Sequence, residues 1–184
     1  MRYNIYEPFQ HWFGHGGVWL YSDPHFGDEE MKAIRKNYIP DAEQVKNINR
    51  IIGKKDTIIF LGDVGDISYI QQIKGYKVLI MGNHDKGKNK YIQFFDEVYD
   101  GPVIISSRII LSHEPILVPY LYNIHGHCHN APCSPCPHGL NCCAEWIDYK
   151  PVSLLQLLNS GELNKVDDIH RQTINNATER KRNG

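Results

Sequence analysis

The stretch TIIFLGDVGD, residues 57–66, sets an apolar run, Thr57 to Leu61, directly against two carboxylates, Asp63 and Asp66, each preceded by a glycine or a glycine-flanked turn. A short apolar run bounded by turn residues has the character of a strand covered on both faces. One aspartate after such a strand is ordinary turn chemistry. Two of them, with Gly62 and Gly65 giving the backbone no side-chain cover, raise the question of what else in the chain meets them.

The same arrangement recurs on either side. Val18 to Tyr21 reads as a buried strand ending at Ser22-Asp23, and Lys77 to Met81 as a third strand running into Gly82-Asn83-His84-Asp85. Between them, Glu29 to Tyr38 reads as a helix closed by Pro40. Asp41 opens a second helix, with Ala42, Val45, Ile48, Ile51 and Ile52 at helical spacing before Gly53, and Ile67 to Ile73 a short third one. After a charged loop, Lys86 to Lys90, the pattern turns strand-rich. Val103 to Ile105 and Arg108 to Leu111 form a hairpin around Ser106-Ser107, followed by strands at Asn123 to Gly126 and Cys142 to Asp148. From Leu163 on, a polar helix frays into the terminal Glu179 to Gly184.

Strands alternating with helices predict a largely parallel sheet, and the strand-rich second half predicts a second, mixed sheet packed on it, an α/β architecture. The 184 residues, 41% of them hydrophobic, suffice for one domain over 1–184, with a core from about 18 to 158 and a polar C-terminal helix or tail from 163 to 184. A formal charge of -1 gives no global attraction to nucleic acid or anionic membrane, so a polyanionic substrate would have to be held locally. The opening MRYNIYEPFQHWFGHGG lacks an apolar signal core, no run is long enough to span a membrane, and five cysteines do not make an even set of staples. The expectation is a cytoplasmic protein.

Ten histidines are the compositional oddity. Asp23 and His25 follow the first strand, Asp63 and Asp66 the second, Asn83 and His84 the third; His113 follows the hairpin, and His127 and His129 the strand at Asn123. In an open α/β fold the carboxyl ends of strands share one rim, so these segments deliver polar groups to one place. Imidazoles, carboxylates and an amide oxygen form a donor set suited to manganese, iron or zinc. If the segments are extended, Asp23 and His25 project from one side, as do His127 and His129. The seven donors Asp23, His25, Asp63, Asn83, His113, His127 and His129 exceed what one tetrahedral ion can use; two ions sharing a carboxylate would use them all.

In this order the motifs resemble the calcineurin-like metallophosphoesterases, whose pattern is D-x-H, G-D-x-x-D, G-N-H-D or G-N-H-E, an isolated His, and G-H-x-H. Asp23-Pro24-His25, Gly62 to Asp66, Gly82 to Asp85, His113 and Gly126 to His129 match it, over residues 18 to about 150. The resemblance implies a four-layer α/β/β/α sandwich of two mixed sheets flanked by helices. It implies two divalent metal ions, of manganese, iron, zinc or nickel, with manganese the first choice in vitro. Asp63 would bridge them, with Asp23, His25 and His129 completing one position and Asn83, His113 and His127 the other. His84 would stand beside the metals as a proton donor to the phosphoryl or leaving-group oxygen, oriented by Asp66. His125 is at most a supporting residue behind the ligands, and His11 and His15 carry no assignment.

Some features fall outside that pattern. In Ala131 to Cys143, Cys133 and Cys136 with His138 and either Cys142 or Cys143 would make a zinc site, against free thiols in a proline-stiffened loop. Extended, Cys142 and Cys143 would point to opposite faces and could not easily share an ion. Cys128 fills the variable position of G-H-x-H. Lys86, Lys88 and Lys90 would meet a second phosphate or a nucleotide chain, or simply face solvent. Ile67-Ser68 stands where the protein Ser/Thr phosphatases resembled here would carry Arg-Gly, which favours a small stand-alone phosphoesterase of the bacterial and phage kind.

The expected function is a dinuclear metal-dependent phosphoesterase, hydrolysing a phosphomonoester or phosphodiester by attack of a metal-bridging hydroxide. Its partner is a phosphate-ester substrate, a nucleotide or nucleic acid included, with no role for a membrane. The rival readings are a non-catalytic binding scaffold stabilised by metal, and a zinc or redox module centred on the Cys133 to Cys143 loop.

Overall fold

Along the first three strands the side chains alternate between two apolar clusters. A computed structural model of the chain describes residues 5–14, 16–131, 138–166 and 178–181. In β1 (Val18–Tyr21), β2 (Thr57–Phe60) and β3 (Tyr76–Ile80), the side chains of Val18, Leu20, Ile59, Val78 and Ile80 enter one cluster, and those of Tyr21, Ile58, Phe60 and Leu79 the other. This period of two is what a sheet buried on both faces requires. Each such side chain contributes roughly 1.5–3 kcal/mol of burial, so these strands form the rigid frame of the molecule.

β4 (Glu97–Tyr99) extends the frame on one side and β9 (Val152–Ser153) on the other, giving the order β4-β3-β2-β1-β9. The first four run parallel, and β9 pairs antiparallel with β1. A second sheet holds β5 (Val103–Ser106), β6 (Ile109–Leu111), β7 (Tyr122–His125) and β8 (Gly139–Asn141) in sequential order. Only its β5–β6 pair is antiparallel. Ile105, Ile109, Leu111, Ile124 and Cys142 join Leu20 and Ile59 in the first cluster, which therefore lies between the sheets.

Helices cover the rest. α1 (Glu29–Ile34) buries nothing of its own, while α2 (Asp41–Ile51) and α3 (Ile67–Ile70) place Val45, Ile48 and Ile70 in the second cluster, against the outer face of the first sheet. α4 (Leu154–Asn159) sends Leu154 and Leu157 into the cluster between the sheets. Two mixed sheets with flanking helices confirm the expected α/β architecture. Among the described residues no helix is long and apolar enough to cross a membrane.

Several boundaries differ from expectation. α1 stops at Ile34 because Arg35 is extended (φ -77°, ψ 118°) and its side chain turns inward. α3 is four residues long, closing before Ile73. The strand expected over Cys142 to Asp148 is reduced to one bridge, Ser22 to Cys143, after which residues 144–149 form turns. The reason is that Glu145 turns inward to His129, and that Asp148 and Tyr149 take positive φ. β4, β8, β9 and α4 are too short to leave a periodic signal. Of the expected C-terminal helix, Glu162–Lys165 is a 3-10 turn and 178–181 is helical, with 167–177 outside the described residues.

Candidate metal centre

Five loops at the carboxyl ends of β1, β2, β3, β6 and β7 converge on one spot. Its floor is buried: Asp23, His25, Asp63 and His113 are 0%, 4%, 2% and 4% exposed. Asn83, His84 and His127 are exposed and form its mouth, with His129 between. All seven expected donors are therefore brought to one rim.

Two groups of side chains offer ligand atoms within 4.8 Å of one another: Asp23, His25 and His129, and Asp23, Asp63 and His113. Oδ2 of Asp63 lies 3.6 Å from Nε2 of His25 and 3.4 Å from Nε2 of His113, and so faces both groups. Oδ1 of Asp23 is 3.9 Å from Nε2 of His25 and 3.9 Å from Nε2 of His129. On the other side, Oδ1 of Asn83 is 2.8 Å from His113 Nε2 and 3.1 Å from His127 Nδ1.

The local backbone that achieves this is unusual. Asp23, His25, Asp63, His127 and His129 have φ of 53°, 48°, 52°, 65° and 46°, in the left-handed region that non-glycine residues enter at a cost of about 1–2 kcal/mol each. The D-x-H and H-x-H segments are thus not extended, contrary to expectation. Their paired side chains converge because each residue of the pair is left-handed, and strain of this kind collects at functional sites. Close packing sets the glycines: at Gly126 a Cβ would overlap Ser22 Oγ and Asp23 Oδ2, and at Gly62 (φ 96°) it would sit 2.5 Å from His113 Nδ1.

Hydrogen bonds then decide which atoms face the centre. The Nδ1 of His113 is 2.8 Å from the carbonyl of Leu61, which only accepts, so Nδ1 is the nitrogen turned outward and Nε2 the one turned to the centre, 3.4 Å from Asp63 Oδ2. Nδ1 of His129 donates to Glu145 Oε1 at 2.7 Å, and Nδ1 of His25 faces Asp28 Oδ2 at 3.4 Å, so their Nε2 atoms also point inward. Oδ2 of Asp23 accepts from Ser22 Oγ at 2.5 Å, the amide of His127 at 2.9 Å and Cys143 Sγ at 3.3 Å. Its Oδ1, like Nε2 of His25, is buried without a hydrogen-bond partner among the described residues. Lone pairs and carboxylate oxygens facing one another in a buried place repel unless a cation lies among them. Imidazole, carboxylate and amide donors held by outer partners are what a divalent metal takes, so the residues fit the group that their sequence order suggested.

The electrostatics agree. Burial pushes the pKa of His25 down to about 4, against the opposing pull of Asp23, which keeps the ring neutral. Burial also acts to lower that of His129, but the hydrogen bond to Glu145 and the charges of Asp23 and Glu145 outweigh it and leave it raised.

The remaining expected residues fall around the centre. His84 is exposed, with its ring edge-on to that of His25 at 5.4 Å and its amide donating to Asp63 Oδ1 at 2.9 Å. Asp66 caps α3, its Oδ1 accepting the amide of Ser68 at 2.9 Å; among the described residues no hydrogen bond joins it to His84. His125 is buried, with Nδ1 donating to the carbonyl of Gly126. Cys133, Cys136 and His15 lie outside the described residues. Cys142 faces the core between the sheets and Cys143 faces Asp23, so the two thiols do point apart. Lys88 pairs with Asp100 at 3.1 Å, and Lys90 lies over the ring of Tyr91.

Other contributors had no sequence signal, or only a partial one. Asp85, the last residue of Gly-Asn-His-Asp, accepts the amides of Asp63 at 2.7 Å, Gly82 at 2.9 Å and Val64 at 3.1 Å, tying the loops after β2 and β3 together. Asp28 was legible only as the N-cap of α1. Arg35, Cys143 and Glu145 reach the site from segments with no motif.

The chain is similar to known proteins. A 173-residue stretch is 28% identical to an uncharacterized protein of Methanocaldococcus jannaschii, covering 81% of this chain and 93% of that one. Over 82 residues the chain is 33% identical to the Gene 66 protein of Mycobacterium phage L5, spanning 39% of its length. A crystal structure of a protein of unknown function from Aquifex aeolicus superposes with a TM-score of 0.65 at 27% identity, covering 77% of this chain and 97% of that one. Residues 16–179 match the model of the calcineurin-like phosphoesterases. The chain belongs to the calcineurin-like phosphoesterase family and is accordingly a metal-dependent hydrolase of phosphate esters.

Proposed function

We propose that the site holds two divalent cations and hydrolyses a phosphomonoester or a phosphodiester. Asp63 would be shared, with Asp23, His25 and His129 at one position and Asn83, His113 and His127 at the other. The observation that carries this reading is the set of Nε2 atoms of His25, His113 and His129 turned toward the carboxylates of Asp23 and Asp63. Bound ions of this kind, manganese first among them, supply charge neutralisation of the phosphoryl oxygens and acidify a water for in-line attack.

The chain's own residues do the rest. The loops around Asp63 and Asn83, tied by Asp85, keep the donors in place before substrate arrives. His84, exposed at the mouth beside His25, would donate a proton to the leaving-group oxygen. A cleft of about 200 Å³ opens next to Asn83 and His113, walled by Met81, Pro102 and Ile116 and edged by the carboxylates of Asp100 and Glu114. It suits a small alcohol portion of the ester, and its carboxylates oppose a second phosphate there. The free thiols of Cys142 and Cys143 suit a reducing compartment, which supports the cytoplasm.

The test is a manganese-supplemented screen of nitrophenyl monoesters and diesters, cyclic nucleotides and short nucleic acids, with a chelator control. Chelator-sensitive release of nitrophenol or phosphate is expected, with about two ions bound per chain. Silence on every ester with metal bound would overturn the reading.

A further inference from the structure

Both ends of α1 are fastened to the metal centre. At its N-cap, Asp28 Oδ2 faces Nδ1 of His25 at 3.4 Å. At its C-cap, the buried Arg35 donates from Nη2 to the carbonyl of Asp23 at 2.5 Å and from Nη1 to that of Pro24 at 3.0 Å, so its guanidinium grips the backbone of the D-x-H segment. Its Nε lies 3.5 Å from Oε1 of Glu145, and that same oxygen accepts Nδ1–H of His129 at 2.7 Å. Arg35 and Glu145 are each 6% exposed.

A charged pair buried this deeply gives little net stability, because desolvation of both groups offsets their attraction. The pair is also imperfectly satisfied, since Nε of Arg35 and Oε2 of Glu145 are buried without hydrogen-bond partners among the described residues. Its geometry instead points at the ligands, with the guanidinium on the loop of Asp23 and His25 and the carboxylate on His129. The other position is supported differently, since His113 is backed by the neutral carbonyl of Leu61. A carboxylate behind an imidazole fixes the tautomer and raises the basicity of the far nitrogen, which a carbonyl does less strongly.

We propose that Glu145, held by Arg35, is a positioning residue that fixes the tautomer and ring angle of His129 and so sets the cation affinity of the Asp23, His25 and His129 position separately from the other. The inference rests on the two-cation reading. Without Glu145, Nδ1–H of His129 loses its acceptor, so the ring is free to turn and Nε2 is no longer held toward Asp23. The position that depends on it weakens, while Asn83, His113 and His127 keep their partners.

The experiment is equilibrium dialysis of the full chain against Mn²⁺, for wild type, Glu145→Ala, Glu145→Gln and Arg35→Met, with the imidazole ¹⁵N–¹H spectrum of the metal-free proteins as a second readout. Glu145→Ala is expected to weaken one of two ions by about 10–100-fold and leave the other within about threefold, with loss of the Nδ1–H form of His129. Glu145→Gln can still accept from Nδ1–H, so it is expected to keep the tautomer and weaken the same ion less; it decides the matter if Glu145→Ala does not fold. Arg35→Met should weaken the same ion. Two ions bound with unchanged affinity in the Glu145 variants overturn the proposal, as does an unchanged His129 spectrum in folded Glu145→Ala. A wild type that takes up no second ion overturns the two-cation reading instead, and the His129 spectrum alone then decides the role of Glu145.

Discussion

Oδ2 of Asp63 and Nε2 of His113 lie 3.4 Å apart, while Nδ1 on the other side of the same ring is 2.8 Å from the carbonyl of Leu61. With the ring proton on Nδ1 the two atoms repel, and a cation against both makes the contact favourable. Asp63→Asn removes the buried carboxylate charge while keeping the shape. Its metal-free form should therefore unfold at the same temperature as metal-free wild type or above it. Manganese at about 100 times its dissociation constant should stabilise wild type by about 2.7 kcal/mol per site, and Asp63→Asn by much less. Thermal unfolding with manganese and with chelator measures both, and equal manganese stabilisation in the two proteins would remove Asp63 from the centre.

His84 and Asp66 should separate cleanly. His84→Ala is expected to lower kcat about 10²- to 10⁴-fold with two ions still bound, since its ring is exposed and it meets Asp63 only through its amide. Asp66→Asn keeps a side chain that caps α3, and turnover should stay within a few-fold of wild type. Steady-state kinetics alongside metal analysis test the pair. A His84→Ala enzyme of undiminished rate would end the acid role, and a large loss in Asp66→Asn would show that its carboxylate also serves His84.

Gly126→Ala should be among the most damaging small changes in the chain. The added methyl would enter the space of Ser22 Oγ and Asp23 Oδ2, which have no flexible end to move. A loss of about 1–3 kcal/mol of stability and of manganese binding is expected, by denaturant unfolding and dialysis respectively. A variant with both intact would mean that the loop carrying His127 can shift without consequence.

Glu97 gives a stability prediction away from the site. Burial pushes its carboxyl up, but hydrogen bonds from Tyr99, His11, Trp12 and Tyr76 outweigh this and hold its pKa below the ordinary range. Three of these donors, His11 Nε2 at 2.6 Å, Trp12 Nε1 at 2.8 Å and the Tyr76 hydroxyl at 3.0 Å, share Oε1. A depressed carboxylate pKa means stability that is fully present above the unfolded value and lost as pH falls through the folded one. Glu97→Gln should cost about 1–3 kcal/mol at pH 7, and the gap to wild type should close on acidification below the ordinary carboxylate range. Urea unfolding across that range is the measurement, and a gap independent of pH would contradict the charge-based account.

What the sequence determined by itself was the alternation of strands and helices in the first half of the chain and the identity of the converging donors. Strand alternation between two cores is written locally, in Val18 to Tyr21 and Thr57 to Phe60, because a period of two needs only neighbouring residues. The loops after those strands share a rim through parallel pairing, so Asp23, Asp63 and Asn83 could be grouped before any coordinate was known. Tertiary structure alone decided how the donors aim. It turned Asp23, His25, His127 and His129 left-handed, set acceptors against the outer nitrogens of His113 and His129, and brought Glu145, Arg35 and Cys143 behind them. Those relations join residues distant in the chain, and nothing in local spacing encodes the hydrogen bond between His129 and a glutamate in a turn beyond β8.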